Sequence, residues 1–450
     1  MKRLICLSFI ICHLSLSQAH RWTAAECMQY AVAHNHDVRQ SELALDNSKA
    51  GRLAAIGSFL PSIGASVGVQ YNFGRAIDPE TNTYTDVSTF YNGYSLSASM
   101  PLFDGFSRLH ALKAARADVL MGKSALRVQQ DQTALATLQA YAGVCYYSGT
   151  VDMAREKQQE STMLLRQTRI LEEVGRKSAA DVAQMEALLA EADYELLRQQ
   201  NMLSQALLSL KKEMNFPLDD SLSVSGDVEE RGTRSEDSSI GGTEVRRCGG
   251  TRIVSRSEMR GHPEAQQAYY RQQAARHAWH QQRAAFYPTL SVGAGVNTTY
   301  YKTLHSTYSE SFNRQFRNNM GEYVAATLSV PLFNRLQTVT AVRRAKNNYL
   351  MAREAYEAKL TELQQLTIEA RQDLSAYNQQ TLQMEKKVEA DSLAYQLTRR
   401  QYEEGLSTAI DLHATSAQLL NSRATLLQCR LTAAMKACLV RYYGGESIWE

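Results

Sequence analysis

The sequence predicts an α+β fold in which β-hairpins from several chains close one barrel and long helices continue it as a second, helical barrel. The prediction rests on three observations. Two stretches of alternating apolar and polar residues are bounded by prolines. Two long tracts without proline are rich in residues that favour helices. Both features occur twice at a nearly constant offset along the 450 residues, which indicates a tandem repeat.

The first alternating stretch is Phe59–Gly105, and it contains two runs with a period of two. Because side chains alternate across a strand, each run predicts a strand with one apolar face and one small, polar face. Each run has about ten residues, the length of a tilted strand that crosses a bilayer. A half-buried hairpin of a soluble sheet is the alternative interpretation. The apolar positions are Ala65, Val67, Val69, Tyr71 and Phe73, then Phe90, Tyr94, Leu96, Ala98 and Met100.

The second alternating stretch, Phe286–Asn334, has the same design. Its apolar positions are Leu290, Val292, Ala294 and Val296, then Val324, Ala326, Leu328 and Val330. We therefore predict hairpins at 62–100 and 289–330, with polar loops at Gly74–Thr89 and Tyr301–Gly321. The strand–helix junctions are marked by prolines that cannot continue a helix, namely Pro61, Pro101, Pro288 and Pro331.

Helices are predicted on both sides of each hairpin. Thr23–Gly57 begins with a capping-box pattern, and helices are predicted at 104–174 and 178–215 and again at 334–404 and 407–442. The glycines Gly175 and Gly405 mark the turns between them. A helix of about 70 residues is roughly 105 Å long, which favours a coiled coil or the wall of a tube over a compact domain. A solvated coiled coil without a channel is the alternative.

The two halves align as tandem repeats, at 20–216 and 261–450. The offset between Pro61 and Pro288 differs by only three positions from the offset between Gly175 and Gly405. The connection 217–260 is rich in Ser, Gly, Arg and acidic residues without apolar periodicity, so we predict an irregular segment there.

Residues 1–19 are typical of an export signal, with Lys2 and Arg3 before an apolar run and small residues at its end. Removal of those two basic residues lowers the formal net charge from +3 to +1, which does not favour a nucleic-acid partner. Five cysteines remain without a CxxC motif. Those in helical patterns, Cys145, Cys429 and Cys438, are interpreted as small packing residues rather than a disulfide framework.

Four strands leave two sheet edges whose backbone groups would be unpaired in lipid. Sharing one barrel among three chains removes these edges, because three chains supply twelve strands, an even number in the range of outer-membrane barrels. The small, polar strand faces suit a wet lumen.

With these features the chain resembles the TolC-like outer-membrane efflux channels over nearly its whole mature length. The motifs are the doubled element order, the Pro-Leu-Phe junctions at Pro101 and Pro331, the turn sequences VGRKSAADV and EGLSTAIDL, and the glycine-rich end with Trp449. The resemblance implies a homotrimer in the outer membrane of a Gram-negative bacterium with its helices in the periplasm. It also implies a passive export duct of a tripartite efflux or type I secretion system, which docks to a periplasmic adaptor and an inner-membrane pump.

The resemblance also implies that both turns lie at the periplasmic entrance. Asp411 is similar to an aspartate that rings the entrance, and Tyr402 to a tyrosine that holds it shut. Asp181 is the counterpart of Asp411 in the first repeat. Ser407 and Ala414 stand where the family carries an arginine and a second aspartate. A ring of aspartates would favour cations; the alternative for Asp181 and Asp411 is helix capping.

The sequence leaves two other classes of protein as alternatives. A periplasmic coiled-coil adaptor or scaffold without a pore would explain the helices but not the hairpins. An enzyme is not expected, because the chain has no Gly-rich phosphate loop, HExxH or GxSxG motif. We predict no catalytic, cofactor-binding or metal-binding residues.

Overall fold

The computed structural model describes residues 21–77, 82–86, 88–225, 259–304 and 310–449. The predicted export signal, most of the connection 217–260 and Cys248 lie outside the described residues. Within the described ranges, no helix is both long enough and apolar enough to cross a bilayer.

The order of elements repeats, with a helix, a hairpin, a long helix and a shorter helix in each half. The first half contains β1 (Arg21–Trp22), α1 (Ala24–His34), α2 (His36–Gly57), β2 (Ser62–Asn72), β3 (Arg75–Ile77), β4 (Tyr84–Asp86), β5 (Thr89–Phe103), α3 (Ser107–Glu173) and α4 (Ala179–Met214). The second contains β6 (Ser223–Val224), α5 (Pro263–Arg283), a 3-10 turn (Ala284–Phe286), β7 (Thr289–Thr303), α6 (Phe312–Asn318), β8 (Gly321–Ser329), α7 (Gln337–Glu403) and α8 (Ala409–Tyr443).

The chain divides into two compact units that cut across both repeats. The sheet unit comprises Ser41–Leu126 and Pro263–Leu360. The helical unit comprises Met1–Gln40, Arg127–His262 and Thr361–Glu450. Each repeat contributes to each unit, so neither half of the sequence is a compact unit by itself.

The sheet unit contains one antiparallel sheet with the order β2-β5-β7-β8. The register pairs Val67 with Tyr94, Leu96 with Val296, and Ala294 with Val324. Because directly paired residues share a face, the apolar positions of all four strands lie on one side of the sheet. The other face is small and polar, and it carries a hydrogen bond of 2.8 Å between the hydroxyls of Ser66 and Ser95.

The hairpins differ from the predicted ones at their ends. The strand β5 continues past Pro101 to Phe103, with a register shift between these two residues, so the predicted end at residue 100 is wrong. The predicted loop Gly74–Thr89 contains the paired strands β3 and β4, which satisfy each other's backbone groups. The predicted loop Tyr301–Gly321 contains the end of β7 and the helix α6.

The other three junction prolines stand at the ends of strands. Pro61 and Pro288 directly precede the first residues of β2 and β7. Pro331 follows the last residue of β8 by two positions. These positions suit proline, because its missing N–H leaves no gap in the hydrogen-bonded ladder of the sheet.

The last strand of each hairpin enters its long helix through two residues of left-handed conformation. These are Gly105 and Phe106, with φ of 65° and 68°, and Arg335 and Leu336, with φ of 54° and 62°. Because these residues are not helical, the long helices begin at Ser107 and Gln337 and not at the predicted positions 104 and 334. A Cβ at Gly105 would lie 2.7 Å from the carbonyl oxygen of Ala284, so the space requires glycine there and the positive φ favours it.

The predicted helix Thr23–Gly57 is broken at Asn35, which has an extended conformation. Its side-chain oxygen accepts a hydrogen bond of 2.8 Å from the amide of Asp37 and thereby caps α2. Its side-chain nitrogen donates to the carbonyl oxygen of Glu213, and Asn215 donates in return to the carbonyl oxygen of His34. The end of α4 thus fixes the position of the break.

The helical unit has an apolar core around Tyr141, whose hydroxyl donates to the carbonyl oxygen of Ser225 beside the paired strands β1 and β6. The four cysteines among the described residues are free, and Cys27, Cys145 and Cys429 are buried. Burial raises the pKa of Cys27 to about 12, so this thiol is unreactive at neutral pH. The core consists of Cys27, Ala31, Tyr141, Val144, Cys145, Leu210, Met214 and Leu222.

Candidate functional site

The two turns of the helical unit, after α3 and after α7, have the same backbone geometry. Gly175 and Gly405 adopt φ of 75° and 80°, the left-handed conformation that ends a helix. In the first turn the amide of Arg176 donates to the carbonyl oxygen of Leu171 at 2.8 Å. In the second turn the amide of Leu406 makes the equivalent bond at 2.7 Å. The turn glycines are therefore helix C-caps, a role that requires a residue tolerant of positive φ.

Both candidate aspartates are bound in capping boxes at the helix starts that follow. The carboxylate of Asp181 accepts from the amide of Ser178 at 2.9 Å, and that of Asp411 accepts from the amide of Thr408 at 3.1 Å. In return the two hydroxyls accept from the aspartate amides at 3.2 Å. Both aspartates are thus helix caps, which leaves a role at the entrance as a prediction to be tested.

These hydrogen bonds hold the pKa of both carboxyl groups below the usual value of aspartate. For Asp411 the hydroxyl and then the amide of Thr408 are the main causes. A lowered folded-state pKa means that the carboxylates stabilise the fold above about pH 4 and stop doing so as pH falls through the lower value. Both are therefore ionised at neutral pH and available as negative charges.

Tyr402 of α7 is buried against α3, with only 3% of its surface exposed. Its hydroxyl is 3.1 Å from the hydroxyl of Thr168, which itself donates to the carbonyl oxygen of Leu164. Thr168 has one hydroxyl proton, so Tyr402 is the donor of the shared bond. Burial raises the pKa of Tyr402, so the side chain is neutral and forms a tether between the two long helices.

Lys177 connects two of the predicted residues, although the sequence analysis did not select it. Its ammonium group lies 4.2 Å from the ring centroid of Tyr402, and its charge also lowers the pKa of Asp181. Lys177 and Ser407 each follow a turn glycine by two positions, so they are repeat counterparts. The first turn therefore holds a basic residue at the position where the second has serine.

A second tether between α3 and α7 lies further from the glycine turns. Glu160 of α3 accepts hydrogen bonds from the hydroxyl of Tyr395 and, at 3.4 Å, from Arg399. Arg399 also pairs with Glu403 at 3.3 Å. This group was not predicted from the sequence, although Tyr395, Arg399 and Tyr402 recur on one face of a helix at spacings of four and three.

An apolar cluster surrounds these tethers and joins α3, α4, α7 and α8. It consists of Leu164, Leu165, Met185, Tyr395, Tyr402, Ala409, Leu412 and Leu419. These apolar side chains pack the four helices together at this end of the helical unit. One turn before Glu160 on α3, Glu156 pairs with Arg423 at 3.3 Å. Because the glutamate is 68% exposed, this ion pair contributes little to the stability of the fold.

Solved structures of outer-membrane proteins share this fold. The crystal structure of the outer membrane protein VceC from Vibrio cholerae matches with a TM-score of 0.78 at 15% identity over 95% of this chain and 97% of that chain. CusC, a protein that forms a transmembrane channel, matches with a TM-score of 0.78 at 16% identity over 96% of both chains. The open state of the MtrE outer membrane channel of Neisseria gonorrhoeae matches with a TM-score of 0.74 at 17% identity, over 94% of this chain and 89% of that chain. No curated protein sequence is similar enough to count as a relative.

The sheet with one apolar face, the doubled long helices and these structural matches define the fold of outer-membrane channel proteins. The model of the outer membrane efflux protein family matches residues 27–215 and 256–437, and the chain belongs to that family. The predicted fold class is confirmed: it is the fold of trimeric channels, with four strands from each chain in a β-barrel and the helices in a helical barrel. The protein is an efflux duct of the outer membrane of a Gram-negative bacterium, with periplasmic helices. Family and fold are those of channels rather than of enzymes.

Proposed function

We propose that this chain is the outer-membrane duct of a tripartite efflux or type I secretion system and that it works as a homotrimer. The observation that carries the proposal is the pair of sheet edges. In the described sheet, β2 and β8 each pair with one neighbour. Because all neighbouring strands are antiparallel, β2 and β8 run in opposite directions. Pairing β8 with β2 of the next copy keeps every pair antiparallel and closes twelve strands.

Cysteine pairs across the edges test this assembly. We expect Ser66→Cys on β2, combined in turn with Ala325→Cys and Thr327→Cys on β8, to give oxidised dimers and covalent trimers in non-reducing gels. At least one pair should react, since all three residues lie on the polar face of the barrel wall. Each single-cysteine variant is the control, and its oxidation should give covalent dimers at most. A protein that stays monomeric with every pair would contradict the closed barrel.

The proposal extends to a periplasmic adaptor and an inner-membrane pump. Apolar side chains are exposed at the turn ends, with exposed fractions of 76% for Leu406, 64% for Ile410 and 63% for Val174. Exposed apolar groups at one site mark an interaction surface in an aqueous compartment. These residues support docking of an adaptor at the turn ends. A polar lumen leaves the choice of cargo to these partners.

Asp411 would contribute negative charge to the entrance, and Asp411→Asn tests this role separately from capping. Asparagine keeps an oxygen that accepts from the amide of Thr408, so the helix start is retained while three charges per trimer are lost. We expect the cation preference in planar bilayers to fall by about half or more, because a ring of carboxylates in a narrow pore favours cations.

Asp181→Asn is the matched control, since it removes the charge of the equivalent cap in the first repeat. An equal loss in both variants would assign selectivity to both turns. Conductance and cation preference unchanged in Asp411→Asn would show that Asp411 is not part of the entrance.

A further inference from the structure

Three histidines from two helices of the sheet unit form a compact cluster. His110 lies on the first turn of α3, and His277 and His280 lie on the last two turns of α5. The ring centroid of His110 is 5.8 Å from that of His277 and 5.1 Å from that of His280, with interplanar angles of 31° and 21°. Nothing in the duct function described above uses this cluster.

Buried polar atoms of this cluster, and of Trp279 beside it, lack hydrogen-bond partners among the described residues. The ring centroid of Trp279 is 5.0 Å from that of His280. Among the described residues, no partner is found for His110 Nδ1, His277 Nδ1 or Trp279 Nε1. An unpaired buried polar group costs about 1–3 kcal/mol. An indole N–H is only a donor, and a protonated imidazole donates through both nitrogens. A hydrogen-bond acceptor satisfies the indole N–H of Trp279, and it satisfies each imidazole Nδ1 that carries a proton, either in the protonated ring or in the Nδ1–H tautomer.

The charges around the cluster favour an anion. Burial is the main cause that lowers the pKa of all three imidazoles. Nearby basic side chains lower the pKa further: Lys113 and Arg283 for His110, Lys113 and Arg276 for His277, and all three for His280. These surrounding charges are basic, so they repel a metal cation and attract an anion. In the described part of the chain, no group of His, Cys, Asp and Glu side chains is placed to hold a metal ion.

The position of the histidine cluster along its helices indicates which kind of molecule carries the anion. His110 follows the end of β5 by seven residues, and α5 ends six residues before β7 begins. At 1.5 Å per helical residue, the cluster lies roughly 5–15 Å beyond the strand ends. The near part of this range overlaps the head-group layer, which is roughly 5–8 Å thick on each side of the hydrocarbon core that the strands cross.

The surrounding side chains have the composition of a membrane interface. The ring of Trp279 stacks on that of Tyr349 with centroids 5.8 Å apart, and the guanidinium of Arg283 lies 5.6 Å from the Trp279 ring. Aromatic and basic residues together are enriched at this depth, where basic pockets bind anionic head groups.

We propose that His110, His277 and His280, with Lys113, Arg276 and Arg283, bind the phosphate of an anionic glycerophospholipid in the inner leaflet of the outer membrane. The three permanent cations supply charge attraction. The imidazoles supply hydrogen bonds, and protonation in the field of the phosphate makes each imidazole a double donor.

Native mass spectrometry of the detergent-purified trimer tests this site with phosphatidylglycerol, phosphatidylcholine and inorganic phosphate as separate probes. We expect phosphatidylglycerol to bind about tenfold more tightly than phosphatidylcholine, because the three cations favour an anionic lipid. His110→Gln/His277→Gln should weaken phosphatidylglycerol binding severalfold, because hydrogen bonds to the phosphate are lost while the cations remain. Lowering the pH from about 8 to about 5.5 should strengthen binding to the wild type, because the bound phosphate favours the protonated imidazoles and protonation adds positive charge to the site. The control His34→Gln/His36→Gln removes two exposed histidines of the helical unit and should leave binding unchanged.

Lys113→Gln provides a second variant at an exposed position, where folding is not at risk, and it should weaken phosphatidylglycerol binding severalfold. Equal binding of both lipids, or phosphatidylglycerol binding that is unchanged in either the double histidine variant or Lys113→Gln, would overturn the proposal. Inorganic phosphate that binds as tightly as phosphatidylglycerol would overturn the lipid as the source of the anion.

Discussion

Replacing Val67 by lysine is expected to prevent assembly of the channel, whereas lysine at the neighbouring Ser66 is expected to be tolerated. Val67 lies on the apolar face of β2 and is 65% exposed in the single chain. A lysine on the lipid face near the bilayer midplane costs about 2–4 kcal/mol per strand, and a trimer contains three such lysines. Ser66 points to the opposite, polar face, where an ammonium group meets water.

The measurement is the fraction of heat-stable trimer in outer membranes and the ion preference of the trimers that form. We expect little trimer from Val67→Lys and near wild-type amounts from Ser66→Lys, with cation preference reduced by the new positive charges in the lumen. Val67→Ala separates the loss of apolar area from the added charge and should assemble. If Val67→Lys assembled normally and Ser66→Lys did not, the sheet faces would be assigned the wrong way round.

Removing both tethers between α3 and α7 is expected to open the periplasmic entrance. Tyr402→Phe deletes the hydroxyl that donates to Thr168, and Glu160→Gln removes the charge that binds Tyr395 and Arg399. A neutral hydrogen bond contributes about 1 kcal/mol and bonds to a charged group about 1.5–3 kcal/mol. If both tethers form only in the closed state, their loss shifts the closed-to-open ratio by roughly 30-fold or more.

Single-channel recordings in planar bilayers measure this shift as longer time at high conductance. Glu156→Gln is the matched control, because it makes the same change one turn earlier on α3. Its carboxylate pairs with Arg423 but is 68% exposed, so we expect an effect below about 0.5 kcal/mol. Recordings of Tyr402→Phe/Glu160→Gln that match the wild type would show that these tethers do not hold the entrance closed.

The candidate residues of the periplasmic entrance could be predicted only in part from the sequence. The turn glycines and the aspartates six residues after them were found because their local chemistry is complete within a few residues. The tether partners Thr168, Glu160 and Lys177 were not found, because each lies on a different helix or turn from the residue it contacts. Pairings between residues so far apart in the chain, such as Thr168 with Tyr402, leave no local signal.

The same distinction applies to the sheet. Alternation identified the apolar face of every strand, since that property depends only on the period of two. The break at Asn35 and the extra pair β3 and β4 were missed, because the first depends on the distant end of α4 and the second on strand pairing.

The sequence by itself determined the repeat, the strands and their faces, the long helices and their turns, because proline, glycine and hydrophobic period act over short distances. Only the tertiary structure decided that the two halves interleave into a sheet unit and a helical unit, and that Tyr402 is buried between long helices. It also brought His110 next to His277 and His280. The physical reason is that these positions are set by packing and hydrogen bonds between segments far apart in the chain, whose free energy depends on the whole fold.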